Sequence, residues 1–267
     1  MLNLNYPGIF KGYSCHNHSN WSDGANSPED MCRAGKAAGL RVLGISDHWV
    51  EPPYDGMDSK EWAMDLNRLD DYVEVLQKLK SELDDENFTL KIGLEVDFFF
   101  ENIDSVLARL KNYPLDYLIG SVHYSGIFPV DHIIDEWLPL SEEEKEEICE
   151  IYWQKLAGAA AVKEFDFIGH LDLPKKFGLI DNDKYLPHAV KVLDILQKNG
   201  GAIELNTAGF FKECNEAYPS PEILRQANIR KIPVIINADA HHVSQLTRNF
   251  AEAEKLLYRA GFCDTQI

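Results

Sequence analysis

Short apolar runs alternate with longer amphipathic stretches along the whole chain. Seven of these runs have the length and unbroken apolar character of strands buried on both faces. They finish at Ser14-Cys15-His16-Asn17-His18, Ile45-Ser46-Asp47-His48, Gly93-Leu94-Glu95, Gly120-Ser121-Val122-His123, Ile168-Gly169-His170, Glu204-Leu205-Asn206 and Ala238-Asp239-Ala240-His241. The stretches between them carry helix signals. Ser27 stands as an N-cap before Pro28, Glu29 and Asp30, and Gly39 stops that helix. Ser141 and Glu144 form a capping box opening a helix that should run to about residue 162. Further helices are expected over 61–83, from 101 to about 112, and over 185–199, 221–230 and 244–260, with Gly200-Gly201 ending one of them. Strand–helix alternation of this kind predicts βα units around a parallel sheet.

At 267 residues the chain fits a single α/β barrel of about 250 residues without remainder. No repeat, linker or low-complexity tract divides it, so one domain over 1–267 is expected. When parallel strands close into a barrel, their C-terminal ends converge on one face. Six of the seven runs end on a histidine or an acid, and only Glu204-Leu205-Asn206 lacks one at its tip. The long connections at 49–60, 125–140, 171–184 and 207–219 follow strands on that face and are expected to shape a pocket there.

His16 and His18 lie two apart, so both imidazoles face the same way on an extended strand end. Asp239 and His241 repeat that spacing, and Asp23 sits in a Ser-Asp-Gly turn able to fold back over the first pair. With His48, Glu95, His123 and His170 this makes six histidines and three acids. A lone histidine at a strand end is more often a hydrogen-bonded structural residue; the joint pattern is what points to metal. Nine ligands exceed the roughly four that one zinc ion takes, so two or three divalent transition metals are expected. Mixed imidazole and carboxylate ligation suits zinc, manganese or iron and is too nitrogen-rich for calcium or magnesium. Cys15 should point away from His16 into packing, and His132 and His188 into solvent.

Hydrophobic residues at 45% and aromatics at 11% are ample for a core. The net charge of −18 argues against nucleic-acid and membrane surfaces, which need clustered Lys and Arg. It leaves room for a small phosphate ester, because bound cations reverse the field locally. Five cysteines without paired spacing suit the cytoplasm. No leader pattern and no membrane-spanning apolar stretch is read from the chain.

In the order H-x-H, S-D-G, D-H, G-L-E-V-D, S-V-H, G-H-x-D and D-A-H the sequence resembles the PHP (polymerase and histidinol phosphatase) superfamily, from Gly12 to about Phe262. Within it the segments 93–97, 121–124, 169–177 and 204–209 are similar to the monofunctional histidinol-phosphate phosphatases. The resemblance implies a distorted TIM-like (β/α)7 barrel with a trinuclear cluster on His16, His18, Asp23, His48, Glu95, His123, His170, Asp239 and His241. Asp23 stands where many relatives carry histidine. Lys212 stands where a basic residue, often arginine, is expected to hold phosphate, and it offers a point charge rather than a bidentate fork.

The expected activity is metal-dependent hydrolysis of L-histidinol phosphate, in histidine biosynthesis. Glu95, Asp239 and His241 are the expected catalytic centre, with Glu95 bridging two metals. Lys212, Arg248 and His242 are expected to bind phosphate. Trp49 and Tyr124 are expected to stack on the substrate ring, with Glu51 or Asp55 pairing with its cationic groups. Two alternatives stay open: a related phosphoesterase acting on nucleotides, oligonucleotides or phosphotyrosine, and a non-catalytic metal-binding module. The oligomeric state is not legible.

Overall fold

A computed structural model describes residues 2, 4, 11–57 and 59–263. Seven strands form the wall of a barrel: β1 (Tyr13–Ser14), β2 (Val42–Ile45), β4 (Thr89–Asp97), β5 (Tyr117–Ser121), β8 (Phe167–Ile168), β9 (Ile203–Asn206) and β10 (Val234–Asn237). They are joined in that order, every pairing parallel. A short β3 (His48–Trp49) extends the line of β2 and pairs with the upper half of β4, setting His48 beside Glu95.

The barrel closes at a narrow seam between β1 and β10. One parallel bridge joins Asn17 to Ala240, with His18 N–H donating to the Ala240 carbonyl at 2.8 Å. Below it the Asn237 side chain accepts from Cys15 N–H at 2.7 Å, so a side chain replaces the missing rung.

Helices cover the outside: α1 (Pro28–Ala37), α2 (Leu69–Leu83), α3 (Ile103–Leu110), α4 (Ile134–Trp137), α5 (Glu142–Ala161), α6 (Leu186–Asn199), α7 (Pro221–Ile229) and α8 (Phe250–Arg259). Ser27 caps α1 and the Ser141/Glu144 box caps α5, as their sequences require. Gly200 ends α6 at φ 74°, a left-handed position that glycine takes without strain.

Two helices are shorter than the pattern suggested. The helix expected from residue 61 begins at Leu69, because Asp65 first caps a 3₁₀ turn over Leu66–Arg68 and the buried stripe Leu69, Tyr72, Val73, Leu76, Leu79, Leu83 starts only there. The helix expected over 244–260 is broken by Asn249 at φ 55° into a 3₁₀ turn (Val243–Gln245) and α8. The connection at 125–140 holds α4 and a small antiparallel hairpin of β6 (Tyr124–Ser125) and β7 (Phe128–Pro129) that was not anticipated.

The main core lies between helices and sheet. A second apolar cluster joins Cys15, Val42, Tyr117, Ile119, Phe167, Ala202 and Ile235 from different strands, which fills the lower barrel interior. Tyr117 spans that interior, its hydroxyl donating to the Cys15 carbonyl at 2.7 Å. Gly44 and Gly93 admit this side chain: a Cβ at Gly44 would come within 2.1 Å of its hydroxyl and one at Gly93 within 2.4 Å of its ring. The upper interior is polar instead, with Asn17, Ser46, Ser121, Glu204, Asn206 and Asn237 all buried. Among the described residues no helix is long and apolar enough to cross a membrane.

Candidate metal centre

The strands deliver every expected ligand to one end of the barrel. Four overlapping groups form there: His18, Asp23, His48 and His241; His16, His18 and Glu95; His16, His170 and Asp239; and His48, Glu95 and His123. Within each, one ligand atom per residue lies within 4.8 Å of the others. Because His16, His18, His48 and Glu95 each belong to two groups, the four are facets of one cluster.

Glu95 is its centre. Its Oε2 lies 3.1 Å from His16 Nε2, 3.5 Å from His18 Nε2 and 2.9 Å from His48 Nδ1. Its Oε1 lies 2.9 Å from His170 Nε2 and 3.6 Å from His123 Nε2. The carboxylate thus has three imidazoles on one oxygen and two on the other. Glu95 and the five histidines are at most 6% exposed. Asp239, Asp23 and His241 close the top and are partly open, with 17%, 30% and 34% of their side chains exposed.

A cation fits this arrangement. His16 Nε2, both ring nitrogens of His18, His48 Nδ1, His123 Nδ1, His170 Nδ1, Glu95 Oε2 and Asp239 Oδ1 are buried without a hydrogen-bond partner. Leaving so many polar atoms dry and unpaired would cost kilocalories each. Ligands at about 2.1 Å from a tetrahedral zinc stand about 3.4 Å from one another. The close pairs here fall around that value, and apart from His170 Nε2 and Glu95 Oε1, which are hydrogen-bonded at 2.9 Å, those on Glu95 are not aligned as hydrogen bonds.

Without the ion, the acids and imidazoles neutralise one another. Burial works against a charge on His16, but Glu204 and Glu95 raise it well above the usual histidine range. Burial is likewise outweighed at His123, raised to about 10 by Asp97 and Glu95, and at His241, raised to about 9 by Asp23 and Asp239. His18 goes the other way, to about 3, through burial and the facing His48 and His241. Glu95 and Asp239 stay well below the carboxylate range although burial opposes it, Glu95 through His16 and His48, Asp239 through His16 and His18.

Outer groups hold the inner ones. Asp47 accepts from the backbone and hydroxyls of Ser19 and Ser22 at 2.6 to 3.1 Å, fixing the turn that carries Asp23. Asp97 accepts from His123 N–H at 2.9 Å. Glu204 receives His16 Nδ1 at 2.9 Å and His170 N–H at 2.7 Å. Glu204 was not singled out from the sequence, because it lies two residues before the tip of a run that ends in asparagine.

The cluster floors an open cleft of about 900 Å³. Lys176, Lys212 and Arg248 line it on the β8–β10 side, and Met57, Trp62, Tyr124, Ile127 and Pro129 on the other. Arg248 is anchored by its Nε and Nη2 on the Ala238 and Asp239 carbonyls and lies over the Phe211 ring. Lys212 is exposed at its surface, yet protein crowding its ammonium and the nearby Lys176 and Arg248 lower its pKa. Lys176, also unremarked in sequence, pairs with Asp131 at 3.1 Å.

Several expected substrate contacts fall elsewhere. Trp49 is fully buried in the main core, its indole donating to Glu51 at 3.0 Å; alternation along β3 turns it away from the face that His48 takes. Trp62 stands on the cleft instead, edge-on to His48 and His123 at 4.8 and 5.4 Å. His242 is exposed and caps the 3₁₀ turn after it by accepting from Ser244 N–H at 3.1 Å. Glu51 is held by Trp49 and Arg109, and neither it nor Asp55 borders the cleft. His132, expected in solvent, is exposed but stands on the cleft rim. Cys15 packs in the barrel interior, as its strand position requires.

Known proteins share this architecture. The PHP domain model matches residues 14–208. A probable histidinol-phosphatase of Deinococcus radiodurans is 35% identical over 238 residues, covering 88% of both chains. The histidinol-phosphatase of Bacillus subtilis is 25% identical over 232 residues, covering 78% of this chain and 84% of its own. Among solved structures, the histidinol phosphate phosphatase of Lactococcus lactis, complexed with zinc, L-histidinol and phosphate, superposes with a TM-score of 0.79 at 22% identity over 94% of both chains. Fold, matched domain and shared sequence agree with the motif order along the strands, and the chain belongs to the PHP family.

Proposed function

We propose that the protein is a metal-dependent phosphomonoesterase that hydrolyses L-histidinol phosphate to L-histidinol and inorganic phosphate in the cytoplasm. The observation that carries the reading is the juxtaposition of an orphaned imidazole–carboxylate cluster with three cationic side chains across one cleft. The names of the relatives narrow the substrate within that chemistry.

His16, His18, Asp23, His48, Glu95, His123, His170, Asp239 and His241 would hold two or three ions, zinc, manganese or iron, with Glu95 shared between two. Divalent cations bound there supply Lewis acidity toward phosphoryl oxygens and bring the acidity of a water near neutrality. Lys212, Arg248 and Lys176 bind the ester's non-bridging oxygens and hold phosphorus over the cluster, where negative charge develops. Arg248 has Nη1 left for this after its backbone contacts. The opposite wall, with Trp62 and Tyr124, takes the organic half of the ester, so the leaving alcohol is directed away from the lysines.

The test is phosphate release from L-histidinol phosphate by the zinc- or manganese-loaded protein, against nucleotides, single-stranded DNA and phosphotyrosine. Strong preference for the first supports the reading. Turnover of the others alone would discard the substrate, and bound metal without turnover would leave a binding module.

A further inference from the structure

We propose that Glu204 is the positioning carboxylate of the cluster: it accepts a hydrogen bond from His16 Nδ1–H and so turns the Nε2 lone pair of that ring toward the cations. The inference rests on the metal-dependent reading above and names how one ligand is held ready for it.

Strand β9 is the one barrel strand that ends without a ligand, yet its Glu204 lies fully buried beneath the cluster. Its oxygens are already taken. Oε2 stands 2.9 Å from His16 Nδ1 and accepts from Asn237 Nδ2 at 2.9 Å. Oε1 accepts from His170 N–H at 2.7 Å and Asn206 Nδ2 at 2.9 Å. A carboxylate receiving this many donors is not itself offered to an ion. It fixes neighbours that are: His16 through its ring and His170 through its backbone. On His16 the division is clean, since Nδ1 has Glu204 while Nε2 is buried and unpartnered, 3.1 Å from Glu95 Oε2. An outer carboxylate that fixes the tautomer of a ligating histidine also raises its basicity.

The packing around Glu204 is built for closeness. A Cβ on Gly169 would come within 2.6 Å of Ser121 Oγ, so the glycine before His170 makes room for Ser121, while Glu204 Oε1 would stay in ordinary contact at 3.5 Å. Asn206 Nδ2 reaches Asp239 Oδ2 at 3.2 Å as well as Glu204, which links the carboxylate to a second ligand. In Glu204→Gln an amide NH₂ would face donors on one side. His16 would then relax by moving its proton to Nε2, the atom the ion needs.

The experiment measures zinc affinity of the wild type and of Glu204→Gln by competition with a chromogenic chelator. Metal per protein and far-ultraviolet circular dichroism are recorded in parallel. The expected result is a folded variant with affinity weakened on the order of 10- to 100-fold. Unchanged affinity in a metal-binding wild type overturns the role of Glu204 alone; a wild type that binds no metal overturns the site reading itself. A second measurement needs no variant. In ¹⁵N-labelled wild type loaded with cadmium-113, His16 should couple to the metal through Nε2 and keep its proton on Nδ1. Coupling through Nδ1 would overturn the proposal whether or not the variant folds.

Discussion

His18 Nε2 lies 3.2 Å from Asp239 Oδ1, although the two residues come from the first and last strands of the barrel. The contact crosses the seam where, among the described residues, a single backbone bridge joins those strands. Ligand geometry and barrel closure therefore depend on the same few residues, and each ligand substitution needs a fold measurement beside its activity.

Glu95→Gln removes the charge that faces five buried imidazoles. We expect loss of bound metal and a fall in kcat that exceeds the roughly 100-fold typical of an outer-shell change, with circular dichroism near wild type. Metal content by mass spectrometry and steady-state kinetics check this; a variant keeping most of its turnover would exclude a bridging role.

Lys212 is exposed at the cleft, whereas Arg248 is tied to the backbone. Lys212→Ala should lower kcat/KM on the order of 100-fold by removing a charge from the developing transition state. Lys212→Arg should retain activity, since it restores the charge and adds a fork suited to phosphate. Equal losses in both variants would show that Lys212 does not touch the ester.

Metal uptake should release protons. In the metal-free protein His123 is raised to about 10 and His241 to about 9, so both are charged at pH 7.5, and His16 is raised in the same direction by Glu204 and Glu95. A ligating imidazole must be neutral, so full loading expels about two protons or more and apparent affinity rises with pH. Calorimetry in buffers of different ionisation enthalpy counts them. The same shifts stabilise the metal-free fold fully below the unfolded histidine value of about 6.5. That contribution is lost as pH climbs through about 9 and 10, so the Tm of the metal-free protein should fall over that range.

The two tryptophans near the site should separate cleanly. Trp49→Ala empties a fully buried core position and should cost about 3–5 kcal/mol of stability by denaturant unfolding. Trp62→Ala should leave stability nearly unchanged while raising KM for L-histidinol phosphate about 3- to 10-fold. Glycerol 3-phosphate, without a ring, should be indifferent to Trp62. Matching KM changes for both esters would remove Trp62 from recognition.

That eight of the nine expected ligands gather at one end of the barrel was legible because two simple periodicities sufficed: residues two apart share a face on a strand end, and parallel strands present their C-terminal ends together. His16 with His18, and Asp239 with His241, need nothing more. The same alternation, applied at His48-Trp49, would have turned Trp49 away from the site. Trp62 was hidden because it reaches the cleft from a connection with no periodicity, and the helix pattern was carried back over it to residue 61. Glu204 was hidden for a different reason. Its role is to receive hydrogen bonds from groups on β1, β8 and β10, and no local spacing records contacts across a barrel.

The seam between β1 and β10 also sets an order on assembly. His16 and His18 are made well before Asp239 and His241, which follow only after all the other ligand-bearing strands. A chain made only as far as β8 and His170 carries Glu95 and its five imidazoles but has Asp23 alone of the three groups that close the top. A copy that stops before β10 therefore lacks both Asp239, with its contacts to His16 and His18, and the strand that closes the barrel.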